Sequence, residues 1–195
     1  NNMNLLIETA RKNNQFIRID MENSKLTSTT IDFYKKIKEQ YENIGIAFQA
    51  YLYRTEEDLI AFKDVPDMNL RICKGIYREP QNIALQKRQR VNENFLKLLR
   101  IAFVNNIYVG IATHDLSIIK ESYNLIKEMD IPNDRFEFQV LYGVPMSGWL
   151  EKHIEHNYKV RVYVPYGSDW YDYSLRRLKE NPSIASYILK DLFRK

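Results

Sequence analysis

Arg71 lies inside the apolar run Asn69 to Lys74, and a guanidinium buried among apolar neighbours needs a carboxylate partner or a bound anion. Lys74 closes the same run, and Gly75 follows it. A glycine at such a turn lets the backbone approach a ligand closely. Further polar residues recur where other apolar runs end. Asp20 follows Ile17 and Ile19, Gln49 ends the stretch from Ile44, and Thr113-His114-Asp115 closes the run from Tyr108. Gln139 and Tyr163 lie within two later runs. If these ends face one side, an acid, two cations, an imidazole and two carboxamides form a polar pocket in an apolar wall. Plainer readings stand beside this one. Asp20 serves equally well as a helix cap, and His114 as a satisfied core histidine.

The elements that must carry these residues alternate between short β-like runs and longer helical patterns. Strands are expected at Phe16–Asp20, Ile44–Tyr53, Asn69–Lys74, Tyr108–Thr113, Arg135–Leu141 and Lys159–Val164. Helices are expected at Asn4–Asn13, Ser28–Tyr41 (capped by Thr27 or Ser28), Glu56–Phe62, Ile83–Asn105, Leu116–Met129, Pro145–Glu155, Trp170–Glu180 and Ser183–Phe193. Strand-then-helix alternation calls for a parallel sheet with crossover helices, its strands apolar on both faces. In such a fold the carboxyl ends of the strands share one side, which in a TIM barrel holds the active site. Periodicity alone leaves an open doubly wound sheet as the alternative, although no GxGxxG fingerprint is present.

Composition narrows the function. The 195 residues carry 29 Lys and Arg against 25 Asp and Glu, interspersed rather than gathered in a stripe, which disfavours nucleic-acid binding. Cys73 is the single cysteine, so no internal disulfide forms, and a reducing, cytoplasmic setting is expected. No run approaches the ~20 apolar residues of a membrane span. His153 and His156 are spaced i, i+3, but without further ligands they read as a solvated helix face, and no metal is expected. Arg176 and Glu180 could be a surface i, i+4 pair.

Five motifs carry a resemblance. Arg71-Ile72-Cys73-Lys74-Gly75-Ile76-Tyr77 resembles the R-x-x-K-G-A-Y strand of proline dehydrogenases, and Ala112-Thr113-His114-Asp115 their A-T-H-N/D motif. Phe136 to Gly143 is similar to their E-F-Q-x-L-x-G strand, Arg161 to Gly167 to the following strand motif, and Tyr173 to Asn181 to the Y-x-x-R-R-L-x-E-N helix. The five occur in the family's order, from about Phe16 to the C-terminus.

The resemblance implies a (β/α)8 barrel, here with six of its eight strands and a final helix capping the mouth, the whole of 1–195 being one catalytic barrel. Family members carry two strands ahead of the one at Ile17, so the N-terminal part of the barrel is expected to be missing. It implies FAD as cofactor and L-proline as substrate, oxidised to Δ1-pyrroline-5-carboxylate by hydride transfer, with a quinone-type acceptor. Asp20 and Arg71 take the positions of the active-site acid and of the Arg beside the flavin. Met21, Gln49, Lys74, Gly75, Ile76, Thr113, His114 and Gln139 take flavin-contacting positions. Arg176 and Arg177 take those that hold the substrate carboxylate, while Tyr163, Tyr173 and Glu180 line or brace its pocket. A quinone acceptor implies peripheral contact at the inner face of the plasma membrane. The competing expectation is an inactive, flavin-free barrel fragment that self-associates through open sheet edges as a homo-oligomer.

Overall fold

A computed structural model describes residues 2–144, 146–164 and 166–168. Helix α1 (Asn2–Lys12) leads into strand β1 (Ile17–Ile19), and strands and helices alternate through the described residues. The order continues through α2 (Thr27–Lys38), β2 (Ile44–Gln49), α3 (Thr55–Ile60), β3 (Asn69–Cys73), α4 (Arg88–Val104) and β4 (Tyr108–Ala112). It closes with α5 (Leu116–Glu128), β5 (Phe136–Leu141), α6 (Trp149–Glu155) and β6 (Val160–Tyr163). The six strands form one sheet in sequence order, all neighbours parallel. This is an α/β half-barrel.

The curvature is visible in side-chain contacts. A flat sheet would separate β1 from β6 by five strand spacings of about 4.8 Å. Yet the Arg161 guanidinium on β6 lies 5.9 Å from the ring of Phe16, the residue before β1. The concave face therefore gathers residues from the first and last described strands.

Alternation assigns the two faces. Ile44, Ile46 and Phe48 of β2, Leu70 and Ile72 of β3, Val109 and Ile111 of β4, and Phe136 and Phe138 of β5 are buried in the core with the helices. From α4 come Val91, Phe95, Leu98, Leu99 and Ala102, and from α5 Ile118, Ile119, Leu125 and Ile126. Phe95 is fully buried here; its truncation to Ala would cost about 3–5 kcal/mol. The other face departs from the expectation of strands apolar on both sides. It carries Arg71, Gln139, Glu137, Tyr108 and Arg161, joined by hydrogen bonds, and beside them the pair Arg18 and Asn69. Polar residues are tolerated there because Arg71 and Arg161 pair with Asp20 and Glu137, while Arg18 donates to carbonyl oxygens.

Several boundaries also move. The second strand stops at Gln49, since Ala50 and Tyr51 turn to bond the carbonyls of Cys73 and Lys74. Helix α4 starts at Arg88 rather than Ile83, because Ala84 makes a bridge to Leu52. Helix α6 starts at Trp149, after Gly148 with φ 81°. Neither Thr27 nor Ser28 caps α2, whose N-cap position is Leu26. His153 is not on a solvated face. It is fully buried, stacked on Phe138 at 4.0 Å and hydrogen-bonded with Tyr123 at 2.8 Å. The expected helices Trp170–Glu180 and Ser183–Phe193, including the one capping the mouth, lie outside the described residues.

Candidate active site

The site is built at the carboxyl ends of β1 to β5. Asp20 is the first residue past β1, and its carboxylate pairs with the Arg71 Nη1 rather than capping a helix. Arg71 points onto the concave face opposite Gly110 in the register of β3 and β4. Its Nε donates to Gln139 Oε1 at 2.6 Å. One guanidinium thus ties β1, β3 and β5 together, with its partners supplied by the protein. The buried arginine inferred from the sequence is satisfied in this way.

Lys74 follows β3 and pairs with the Asp115 carboxylate. Asp115 caps α5 by accepting from the Ser117 N–H at 3.1 Å, and it also accepts from Arg88 Nη2 at 2.8 Å and Asn92 at 3.2 Å. Burial works to raise this carboxyl, but the bonds from Lys74, Ser117 and Arg88 outweigh it and hold it well below the usual range. The Thr113 hydroxyl accepts from the Asp115 N–H at 3.0 Å. Gly75 has φ 101°, and a Cβ there would strike the Tyr51 ring, so this turn requires glycine. Past it, the Ile76 side chain is 51% exposed. Met21 is buried, and its carbonyl accepts from Gln49 Nε2 at 3.3 Å. Tyr163 ends β6 beside Leu141. Tyr173, Arg176, Arg177 and Glu180 lie outside the described residues.

Gln49 Oε1 and His114 Nδ1 at these strand ends are buried and have no hydrogen-bond partner among the described residues. Gln49 donates from Nε2 to the Met21 carbonyl, which points Oε1 to a place where no described residue donates to it. His114 Nε2 accepts from the Leu141 N–H at 2.9 Å, leaving Nδ1 unpartnered. Burial lowers the His114 pKa, so the ring is neutral near pH 7 and carries its proton on Nδ1. The site therefore offers an unused buried acceptor, an unused buried donor and two cations, Arg71 and Lys74. This set of groups fits the edge of a flavin ring, which has both carbonyl and N–H groups.

Sequence reasoning missed the layer beneath. Glu137 is 3% exposed and accepts from Arg161 Nε at 2.6 Å and Nη2 at 3.0 Å, from the Tyr108 hydroxyl at 3.1 Å and from Gln139 Nε2 at 2.6 Å. Burial pushes its carboxyl up, yet Arg161 and Gln139 more than offset that and keep it lowered. Arg18 donates to the carbonyls of Asn69 at 3.0 Å and Ile46 at 3.2 Å. Burial, followed by the nearby Arg71, brings it down to about 10. The signal was available: Glu137 sits between Phe136 and Phe138, as conspicuous in an apolar run as Arg71. Arg18, Glu137 and Arg161 each precede by two residues a position already singled out.

Comparison with known proteins agrees with this geometry. The proline dehydrogenase family model matches residues 2–189. Proline dehydrogenase 2 of Bacillus subtilis is 40% identical across all of this chain, which covers 63% of that protein. Proline dehydrogenase of Deinococcus radiodurans is 33% identical over 99% of the chain and 62% of its own length. The chain thus spans less than two thirds of the curated relatives it matches. Among solved structures, proline utilization A of Bdellovibrio bacteriovorus, inactivated by N-propargylglycine, superposes on 89% of this chain and 21% of its own, with a TM-score of 0.81 at 21% identity. That likeness shows the fold to be that of a TIM-type barrel. Motifs, sheet and family model agree: the chain belongs to the proline dehydrogenase family.

Proposed function

We propose that the protein oxidises L-proline to Δ1-pyrroline-5-carboxylate, the first step of proline catabolism, with FAD held at the strand ends. The observation that carries this reading is that a buried donor, His114 Nδ1, and a buried acceptor, Gln49 Oε1, lack partners among the described residues, at the same strand ends as Arg71 and Lys74. The flavin, when bound, supplies the two-electron acceptor for the hydride that leaves the carbon next to the ring nitrogen.

The chain's own residues bind, orient and tune. His114, Gln49, Lys74 and the backbone at Gly75 hold the cofactor, with Met21, Ile76, Thr113 and Gln139 around it. Arg71 places a fixed positive charge where negative charge develops. Asp20 holds that guanidinium at its outer nitrogen. By the family resemblance, Arg176 and Arg177 fork the substrate carboxylate bidentately, with Glu180 to brace them and Tyr163 and Tyr173 lining the pocket. The substrate ammonium must shed its proton before its C–H bond breaks, so oxidation accelerates as pH rises. Electrons leave to a quinone-type acceptor, which calls for peripheral contact with a membrane from the cytoplasmic side.

The test is spectroscopic. FAD is added to the purified chain, and L-proline is introduced without oxygen. Bound, yellow flavin that bleaches with proline supports the reading. Flavin that stays unbound overturns it for this chain and favours a flavin-free protein, whose self-association sedimentation would reveal.

A further inference from the structure

We propose that Glu137 is a positioning residue, which fixes the orientation of the Gln139 carboxamide and through it the plane of the Arg71 guanidinium. The proposal rests on the reading that places Arg71 beside the flavin. The carboxamide has one accepting end and one donating end. Its Oε1 accepts from Arg71 Nε and its Nε2 donates to Glu137 Oε1, both at 2.6 Å. Rotated by half a turn, it would set N–H against N–H at Arg71 and oxygen against carboxylate at Glu137. Both contacts would be repulsive, the one at Glu137 in a buried place and the one at Arg71 in a partly buried one.

Glu137 can impose this choice because it is itself immobilised. Arg161 grips it with two nitrogens and Tyr108 with its hydroxyl. The result is a continuous chain of hydrogen bonds across the concave face, in which Glu137 accepts from both sides and Arg71 donates to both. It runs from Arg161 on β6 through Glu137 and Gln139 on β5 to Arg71 on β3 and Asp20 after β1. Gly110 on β4 leaves room for it, since a Cβ there would overlap the Gln139 carboxamide. With Nε fixed by Gln139 and Nη1 by Asp20, the guanidinium has one plane available. A neutral residue at 137 removes the preference, because an amide there can donate or accept.

The experiment uses Glu137→Gln, Gln139→Met, and the exchange variant Glu137→Gln/Gln139→Glu. In the exchange variant a carboxylate at 139 accepts from Arg71 in either orientation, and the amide at 137 donates to it. The first readout needs no cofactor: the Arg71 Nε–H resonance in 15N spectra of the flavin-free chain and its solvent exchange. Glu137→Gln should speed that exchange about tenfold or more, since a buried charge-assisted bond is lost. The exchange variant should return it to within about threefold of wild type. The second readout adds FAD and L-proline. Glu137→Gln should slow flavin reduction at saturating proline about tenfold, with the half-saturating proline concentration changed less than about threefold, as expected for misplaced charge rather than lost binding. The exchange variant should recover most of the rate.

Unchanged Arg71 exchange in Glu137→Gln, or no recovery in the exchange variant, overturns the relay. Should Glu137→Gln fail to fold, Gln139→Met, which leaves the Glu137–Arg161 pair intact, must show the same exchange and rate losses or the proposal is wrong. If Arg71→Met leaves flavin reduction unaltered, the reading of Arg71 itself fails, and the exchange data still decide whether Glu137 orients it.

Discussion

The Leu141 backbone N–H donates to His114 Nε2 at 2.9 Å, and this bond between the end of β5 and the loop after β4 leaves the imidazole proton on Nδ1. A backbone contact thereby presets a side-chain donor for a ligand. Replacing His114 by Ala should weaken FAD binding about tenfold, the worth of one buried hydrogen bond of roughly 1–2 kcal/mol. His114→Asn, whose amide nitrogen lies near the former Nδ1, should retain more of the affinity. Titration by flavin fluorescence quenching separates the two. Equal loss in both variants would show that Nδ1 contributes no bond.

Arg71→Met keeps the length of the side chain and removes the charge. Flavin reduction by L-proline should slow by more than tenfold, because one stabilising charge in a closed site is worth on the order of 2–4 kcal/mol. Rapid-mixing absorbance at 450 nm, without oxygen, measures it. A change below twofold would remove Arg71 from the chemistry.

Gly110→Ala tests the room reserved on the concave face. The added Cβ would meet the Gln139 carboxamide, the far end of a flexible side chain. The stability cost should stay within about 1–3 kcal/mol, the usual range for an overpacked position. Displaced Gln139 frees Arg71, so the limiting rate of flavin reduction should fall several-fold while proline affinity holds. Thermal unfolding and saturation kinetics read the two effects apart.

Much of this architecture is legible in the chain without coordinates, for a physical reason. Buried parallel strands must be apolar where helices cover them, and Ile44, Ile72, Val109 and Phe138 announce those faces directly. Arg71 and Asp20 stand out because an uncompensated charge in an apolar run is costly, and the structure joins them. What is not legible is which charges satisfy which. Arg161 meets Glu137 only once β5 and β6 have paired, and Phe16 only after the sheet has curled, and no sequence period encodes either. The burial of His153 escapes the sequence for a related reason. It depends on Tyr123 and Phe138, residues of two other elements.

Asp115 should make the rim of the site acid-sensitive. Its carboxyl is held below the ordinary value of 3.8 in the folded chain, so the folded state binds its proton less readily than the unfolded state does. The stabilisation is present above pH 3.8 and is lost as pH falls below it. Asp115→Asn should cost roughly 1.5–3 kcal/mol at neutral pH, the worth of hydrogen bonds to a charged group. The gap between variant and wild type in urea midpoints should narrow below about pH 4. A gap that stays constant with pH would mean that the charge contributes nothing.

His153 sets a second pH dependence, at higher pH. Burial first, then the positive charges of His156 and Lys152, lower its pKa from 6.5 to about 4. The folded chain therefore keeps the ring neutral where the unfolded chain would protonate it. Stability contributed by this residue is whole above pH 6.5, erodes as pH falls toward 4 and levels off below that. A tenfold difference in proton affinity between folded and unfolded chain is worth about 1.4 kcal/mol, so the loss across the window is on the order of 3 kcal/mol. A double replacement, His153→Phe with Tyr123→Phe, removes both partners of the 2.8 Å bond together and leaves no orphaned polar atom. Its urea midpoint should change little at about pH 7.5 and should fall less steeply than wild type between about pH 6.5 and 4.5. Parallel profiles for the two proteins would place the pH sensitivity elsewhere in the molecule.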